Sequence, residues 1–149
     1  MTKAMDNNFV DENCIFCQIS NNLTNNSQLL YEDNNLVIIN DIKPAVDQHY
    51  LVLPKKHITN IKNMKKEESI QIINNMKTIG ENFMKSKGFT DESQLRMGYH
   101  WPPFNSISHI HLHLLYPIRQ MSWISRVIFK TGSFWFVEIN DLIQWLSKR

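Results

Sequence analysis

The segment from His109 to Leu115 holds three of the six histidines of the chain, alternating with aliphatic residues. A period of two is typical of a half-buried β-strand, because successive side chains point to opposite faces. We therefore predict a strand over residues 109–115. One face would carry His109, His111 and His113, and the aliphatic residues would anchor the other face in the core.

A row of imidazoles supports more than one kind of chemistry. A neutral histidine is a nucleophile towards phosphorus, and a protonated neighbour stabilises charge on phosphoryl oxygens. Imidazoles two residues apart on a strand also suit zinc, with His49, His57 or an aspartate as third ligand. Binding of an anion without turnover is a third reading. These residues alone leave covalent nucleotidyl transfer, a zinc-dependent hydrolase and a non-catalytic nucleotide-binding module open.

Length and composition indicate one soluble globular protein of 149 residues, 42% of them hydrophobic. The net charge of +2 is too small to predict a nucleic-acid partner. The sequence contains no apolar run long enough for a membrane span, and residues 1–13 are too polar for a secretory signal. We expect a cytoplasmic or nuclear protein with no membrane partner.

The periodicity of the chain predicts an antiparallel α+β domain. Short apolar runs predict strands at 29–32, 36–39, 49–53 and 95–99, the first two joined by a turn at 33–35. A long helix over 67–87 would bury one apolar stripe and end at Gly88. The stripe consists of Ile70, Ile73, Met76, Ile79 and Phe83.

Three regions are expected along the chain: a flexible segment at 1–13, the domain itself at 14–118, and an extension at 119–149. The extension is rich in aromatic residues, so we expect it to pack on the domain or on a second subunit. Within it the pattern predicts a helical face with Trp123, Val127 and Ile128, a short strand at 134–137, and a last helix capped by Asn140.

Two further features carry reactive side chains. Cys14 and Cys17 are the only cysteines, and their spacing suits half of a zinc site, a redox pair, or two buried thiols of a short helix. Asp41 follows a predicted strand that Pro44 ends. Its carboxylate either contacts a ligand or caps its own turn, and for an isolated aspartate capping is the more common role.

The motif at 109–115 resembles the signature of the histidine triad (HIT) superfamily. The resemblance covers about residues 14–146 and includes four further blocks in the same order. These blocks are Cys14-Ile15-Phe16-Cys17, Asp41-Ile42-Lys43-Pro44, His49 to Ile58, and Arg96 to Phe104. The loop Pro102-Pro103-Phe104 and the aromatic extension resemble one branch of the superfamily rather than its shorter members, which have a Gly-rich loop and an asparagine where this chain has His100.

The resemblance implies a five-stranded antiparallel sheet with one long helix and short flanking helices, usually dimerised into a continuous ten-stranded sheet. It also implies a hydrolase, an adenosine 5′-monophosphoramidase that cleaves the P–N bond of AMP-amine conjugates, extending to aminoacyl-adenylates. By position, His111 would be the nucleophile that becomes adenylylated. His113 would contact the phosphate oxygens, and His109 would support the array of rings.

Four other residues match substrate-contacting positions of the superfamily. Asp41 corresponds to the carboxylate that grips the ribose hydroxyls, and Ile42 would lie beside the purine base. Asn105 and Ser106 occupy the loop that contacts the phosphate and the leaving amine. The His100 position and the shorter loop leave the preference for the leaving group open.

The resemblance implies that the reaction requires no cofactor. In some members, however, paired cysteines bind zinc together with two histidines, which here would be Cys14, Cys17, His57 and His109. Such a zinc would be structural, because His111 must stay unligated to attack phosphorus.

Overall fold

The computed structural model describes residues 9–23 and 28–149. Most of the segment expected to be flexible, and part of the loop before the first strand, therefore lie outside the described residues. The described chain forms one antiparallel sheet with strand order β1-β2-β3-β5-β4-β6. Its strands are β1 (Tyr31–Glu32), β2 (Leu36–Asn40), β3 (Gln48–Pro54), β4 (Arg96–His100), β5 (Leu112–Tyr116) and β6 (Phe136–Glu138).

Within residues 9–23 and 28–149, four helices accompany this sheet: α1 (Ile15–Ser20), α2 (Lys66–Ser86), α3 (Trp123–Ile128) and α4 (Ile139–Ser147). Short 3₁₀ turns lie at Ile61–Asn63, Glu92–Gln94 and Ile118–Gln120. The α+β class is therefore confirmed. Among the described helices, none combines the length and the apolar composition needed to cross a bilayer.

Helix α2 packs against the sheet through its predicted stripe. Ile73, Met76 and Phe83 are buried in the main core, and the other two stripe residues pack against it. Gly88 has φ of +86°, a left-handed conformation that glycine adopts at little cost and that ends the helix. The hydrophobic period thus correctly predicted which face of α2 is buried.

The sheet has six strands rather than the five implied by the resemblance. The sixth, β6, comes from the extension and pairs antiparallel with β4, with Gly98 opposite Glu138 and His100 opposite Phe136. The prediction that Asn140 caps the last helix is wrong. Glu138 is the N-cap instead, because its carboxylate accepts the backbone N–H groups of Asn140 and Asp141.

The histidine segment enters the sheet later than its alternation predicts. The ladder between β3 and β5 begins with Val52 opposite Leu112, so the prediction that the strand starts at His109 is wrong by three residues. Before that point the N–H of Ile110 donates to the carbonyl of Ile58, which lies beyond the end of β3. Leu112 and Leu114 nevertheless point into the main core, as predicted.

Candidate active site

His111 is buried, and one of its ring nitrogens is committed to its own backbone. Nδ1 lies 2.8 Å from the carbonyl oxygen of His109. A carbonyl only accepts hydrogen bonds, so Nδ1 carries the proton and Nε2 keeps its lone pair. The edge of the Phe16 ring packs against this imidazole, with ring centroids 5.0 Å apart. Burial lowers the pKa of His111, so the ring is neutral at pH 7 and its Nε2 carries a lone pair.

His109 is buried and lies next to the two cysteine sulfur atoms. Its Nε2 donates to the carbonyl of Pro54 at 2.8 Å, so its Nδ1 holds a lone pair. That Nδ1 lies 3.5 Å from the Sγ of Cys14 and 3.4 Å from the Sγ of Cys17. His57 completes the group, with Nδ1 at 3.2 Å from the Sγ of Cys17.

These four side chains offer one donor atom each, all within 4.8 Å of one another. Two thiols and two imidazoles form one of the usual ligand sets of a structural zinc. The bond from His109 to the Pro54 carbonyl also has the form usual for zinc-binding histidines, whose second nitrogen donates to a carbonyl or carboxylate. The structure thus brings together Cys14, Cys17, His57 and His109, and their chemistry fits the metal.

His113 is buried between two further histidines. Its Nδ1 lies 2.9 Å from Nε2 of His49, and its Nε2 lies 3.3 Å from Nδ1 of His100. The Nδ1 of His49 accepts the backbone N–H of Ala45 at 3.0 Å, and the Nε2 of His100 lies 2.9 Å from the carbonyl oxygen of Ile128. From the sequence, His49 is only one of several candidates for a third zinc ligand. His100 is only a departure from the superfamily pattern.

Burial controls the charge of this imidazole array. It lowers the pKa values of His49 and His109 to about 4. Burial also lowers the pKa values of His111 and His100, and holds that of His113 well below its usual range, where neighbouring imidazoles lower it further. All five rings are therefore neutral at pH 7, which keeps a lone pair on each.

Asp41 lies beside His113 rather than apart from it. One carboxylate oxygen accepts the N–H of Lys43 at 2.8 Å, which is the turn-capping role considered from the sequence. The other oxygen lies 3.3 Å from Nε2 of His49 and 3.9 Å from Nδ1 of His113. Ile42 follows and is 87% exposed. The first oxygen keeps a lone pair for a ligand, since each carboxylate oxygen accepts two hydrogen bonds.

The loop between β4 and the histidine segment borders the other side of the site. Asn105 lines a pocket together with His111, His100 and Trp101. Its amide also donates to the carbonyl of Ile107 at 3.1 Å, which fixes the shape of the loop. Ser106 is exposed on the same loop. The structure therefore places Asn105 in a pocket that His111 also lines, and Ser106 at the solvent side.

The extension supplies an apolar wall for the array. The Phe129 ring lies 5.1 Å from that of His113 and 5.5 Å from that of His49, measured between centroids. Phe136 of β6 packs on His100 at 5.1 Å. These contacts exclude water from the imidazoles, which is the physical origin of their lowered pKa values. Nothing in the sequence linked Phe129 to the histidines.

Comparison with known proteins agrees with this fold. A HIT family hydrolase from Legionella pneumophila has a solved structure with a TM-score of 0.65 and 31% identity, covering 74% of this chain and 97% of that one. Residues 13–128 also match the family described as scavenger mRNA decapping enzyme C-term binding. The chain belongs to the histidine triad superfamily.

Within that superfamily the chain is similar to proteins named adenosine 5′-monophosphoramidase HINT3. The protein from Xenopus tropicalis is 42% identical over 141 residues, which are 95% of this chain and 92% of the relative. The protein from Mus musculus is 39% identical, covering 93% of this chain and 84% of its own length. The Pro-rich loop and the aromatic extension predict the same branch of the superfamily, histidine triad nucleotide-binding protein 3, and these relatives confirm that prediction.

Proposed function

We propose that this chain is a hydrolase that cleaves the P–N bond of AMP-amine conjugates, and also aminoacyl-adenylates, through an adenylyl-histidine at His111. The observation that carries the proposal is the bond between Nδ1 of His111 and the carbonyl of His109. It leaves a lone pair on Nε2 of a neutral ring, as nucleophilic attack on phosphorus requires. The names of the HINT3 relatives agree with this activity.

The reaction would proceed in two displacements at phosphorus. In the first, Nε2 of His111 bonds to phosphorus while the bond to the amine breaks, and the leaving nitrogen takes a proton from water. In the second, a water oxygen bonds to phosphorus and the bond to Nε2 breaks, releasing AMP. The water proton passes to solvent, and His111 regains its lone pair. Together the two steps replace one difficult direct hydrolysis by two easier transfers.

The other site residues would bind and orient the nucleotide. Asp41 would accept hydrogen bonds from the ribose hydroxyls through its capping oxygen, with the exposed Ile42 beside the base. Asn105 and the Ser106 hydroxyl would donate to the phosphate and to the scissile nitrogen from the loop. His113 would donate to the phosphate oxygens on which negative charge develops.

We further propose a structural zinc held by Cys14, Cys17, His57 and His109. Bound there, zinc would supply no chemistry beyond fixing these four side chains and, through His109, the backbone that bonds His111. Four protein ligands complete a tetrahedral site, whereas a catalytic zinc keeps one position for water or substrate. The donor set therefore favours a metal-independent reaction over the zinc-dependent alternative. Cysteines that bind a metal rather than form a disulfide also fit a reducing compartment, cytoplasmic or nuclear.

A homodimer is also proposed, with its contact on the extension. Trp123 on α3 is 76% exposed, and Phe134 in the following loop is 88% exposed. The outer edge of β4 is covered by β6 of the same chain, so a sheet continuous between protomers would have to run through the short edge strands β1 or β6. Replacing Trp123 by Glu should shift the mass measured by light scattering from dimer to monomer.

The proposed activity is tested by incubating the full chain with adenosine 5′-phosphoramidate or AMP-lysine. The wild type should release AMP, and brief quenching in base should trap a protein heavier by one adenylyl group. His111→Ala should release none and form no adduct. Equal release by both proteins would refute the assignment of His111. Binding of AMP without any turnover by the wild type would favour the non-catalytic module instead.

A further inference from the structure

The rings of His49, His113 and His100 form one hydrogen-bonded chain that runs between two backbone groups. At one end the N–H of Ala45 meets Nδ1 of His49, and at the other Nε2 of His100 meets the carbonyl of Ile128. The two internal links are the 2.9 Å and 3.3 Å contacts of His113.

The two ends fix the direction of every hydrogen bond in this chain. A backbone N–H only donates, so Nδ1 of His49 holds the lone pair and Nε2 holds the proton. A carbonyl only accepts, so Nε2 of His100 holds the proton and Nδ1 holds the lone pair. His113 therefore receives at Nδ1 and donates from Nε2. Each ring is neutral, and each is protonated at Nε2.

We propose that His100, held by the Ile128 carbonyl of the extension, is a positioning residue that accepts the Nε2 proton of His113 and fixes the position of that ring. The inference deepens the proposed function, on which the role of His113 rests. His100 is partly exposed whereas His113 and His49 are buried, so the Nε2 edge of His113 is the edge nearer to solvent.

The position of this proton matters because a phosphate oxygen needs a donor. The Nε2–H of His113, which lies 3.3 Å from its acceptor in His100, would be shared with that oxygen when substrate binds. The opposite tautomer of His113 would present a lone pair on Nε2, which repels the developing negative charge. His49 and His100 enforce the useful tautomer from both sides. The extension thus acts on His113 indirectly: the Ile128 carbonyl holds His100, and His100 contacts His113.

The variants His100→Gln and His100→Leu separate positioning from simple space filling. A glutamine amide offers one acceptor and one donor, as a neutral imidazole does, so it can take the hydrogen of His113 and donate to Ile128. Leucine fills the space with neither group. Lys130→Ala, an exposed side chain in the extension, serves as the matched control.

Two measurements on the full-length proteins decide the matter. Nitrogen-15 spectra of the imidazoles should show His49, His113 and His100 of the wild type protonated at Nε2, and His111 alone at Nδ1. With adenosine 5′-phosphoramidate, His100→Leu should lower kcat by about 100-fold with a much smaller change in KM, as expected when a reacting group is misplaced by about 1 Å. His100→Gln should recover most of this loss, and Lys130→Ala should behave as the wild type.

The inference is overturned if the wild-type spectrum places the proton of His113 on Nδ1, a result that needs no variant to fold. It is also overturned if His100→Leu keeps full kcat, or if both His100 variants lose activity equally while the His113 proton stays on Nε2. A wild type inactive on phosphoramidates would refute the proposed function, and the spectra would then decide the tautomer separately.

Discussion

Nδ1 of His111 donates to the carbonyl oxygen of His109, two residues earlier in the chain and 2.8 Å away. This bond exists because residues 109–111 have not yet entered the sheet, whose ladder begins at Leu112. In a regular strand, the carbonyl of one residue and the side chain two positions later do not meet in this way. The irregular entry therefore sets the tautomer of the proposed nucleophile.

His111→Asn should separate the nucleophile from the fold. An asparagine amide N–H can replace Nδ1–H in the bond to His109, but the amide has no nucleophilic nitrogen at the position of Nε2. We expect phosphoramidate hydrolysis and adduct formation to disappear, while the free energy of unfolding in urea stays within about 1 kcal/mol of the wild type. His111→Ala removes both groups and should be the less stable variant. Residual adduct in His111→Asn would place the nucleophile elsewhere.

Chelation should lower stability without removing activity. The purified protein is expected to carry one zinc, and its removal should lower Tm by about 10 °C, because the metal binds only the folded chain. Below the new Tm, turnover of adenosine 5′-phosphoramidate should persist, since His111 is not among the four ligands. Burial raises the pKa of Cys17 to about 11, so zinc binding should also release a proton from this thiol.

Cys17→Ser is the matched variant for this experiment. It should purify without zinc and unfold at the temperature of the chelated wild type, with no further shift on chelation. The chelated wild type should be assayed where circular dichroism still shows the native fold. Loss of turnover under these conditions would indicate that the reaction itself depends on the metal.

Stability should fall between pH 6.5 and pH 4 because His49 is buried as a neutral ring. Its pKa is about 4 in the folded chain and 6.5 when exposed. Between these values the unfolded chain binds a proton that the folded chain does not. The contribution of His49 to the free energy of unfolding is therefore complete above pH 6.5. It is lost as the pH falls towards 4, and the total loss is about 3 kcal/mol.

Urea unfolding of the wild type and His49→Gln at several pH values measures this contribution. Glutamine keeps an acceptor for Ala45 and a donor for His113 but does not titrate. The variant should lose less stability than the wild type over this pH range. Identical pH slopes for the two proteins would show that His49 keeps its ordinary pKa in the folded chain.

Local patterns were sufficient for much of the fold. The alternation at 109–115 correctly placed Leu112 and Leu114 in the core, and the stripe on α2 predicted its buried face. The turn at 33–35 was also correct, because the Asp33 carboxylate accepts the N–H groups of Asn35 and Leu36. Each of these features depends on neighbours a few residues apart, where period and turn chemistry are informative.

The site depended on contacts that no local pattern encodes. His100 and the Ile128 carbonyl lie 28 residues apart, and Cys14 and His109 lie 95 apart. The proposed zinc ligands were predicted as a set of four only through the resemblance to a superfamily, since two cysteines separated by two residues also fit other roles. The contact with Ile128 involves a backbone oxygen, and every residue carries one. The position of the Ile128 carbonyl oxygen next to His100 follows from tertiary packing alone.

Gly98→Ala should detach the extension from the sheet and thereby disturb His100. Gly98 lies in β4, opposite His113 on one side and Glu138 on the other. A Cβ at this position would lie within 3.0 Å of the Val137 carbonyl oxygen and of the Phe136 ring. Since backbone cannot yield as a flexible side chain does, β6 must move away. We expect a loss of about 2–4 kcal/mol in the free energy of unfolding.

Gly88→Ala provides the comparison, because it tests backbone strain without a steric clash. Gly88 has a positive φ, and nothing lies within 4 Å of a Cβ built there, so this variant should lose only about 1 kcal/mol. The nitrogen-15 signals of His100 should shift in Gly98→Ala and stay unchanged in Gly88→Ala. Equal stability losses with unchanged His100 signals in both would mean that β6 does not hold the Ile128 carbonyl against the array.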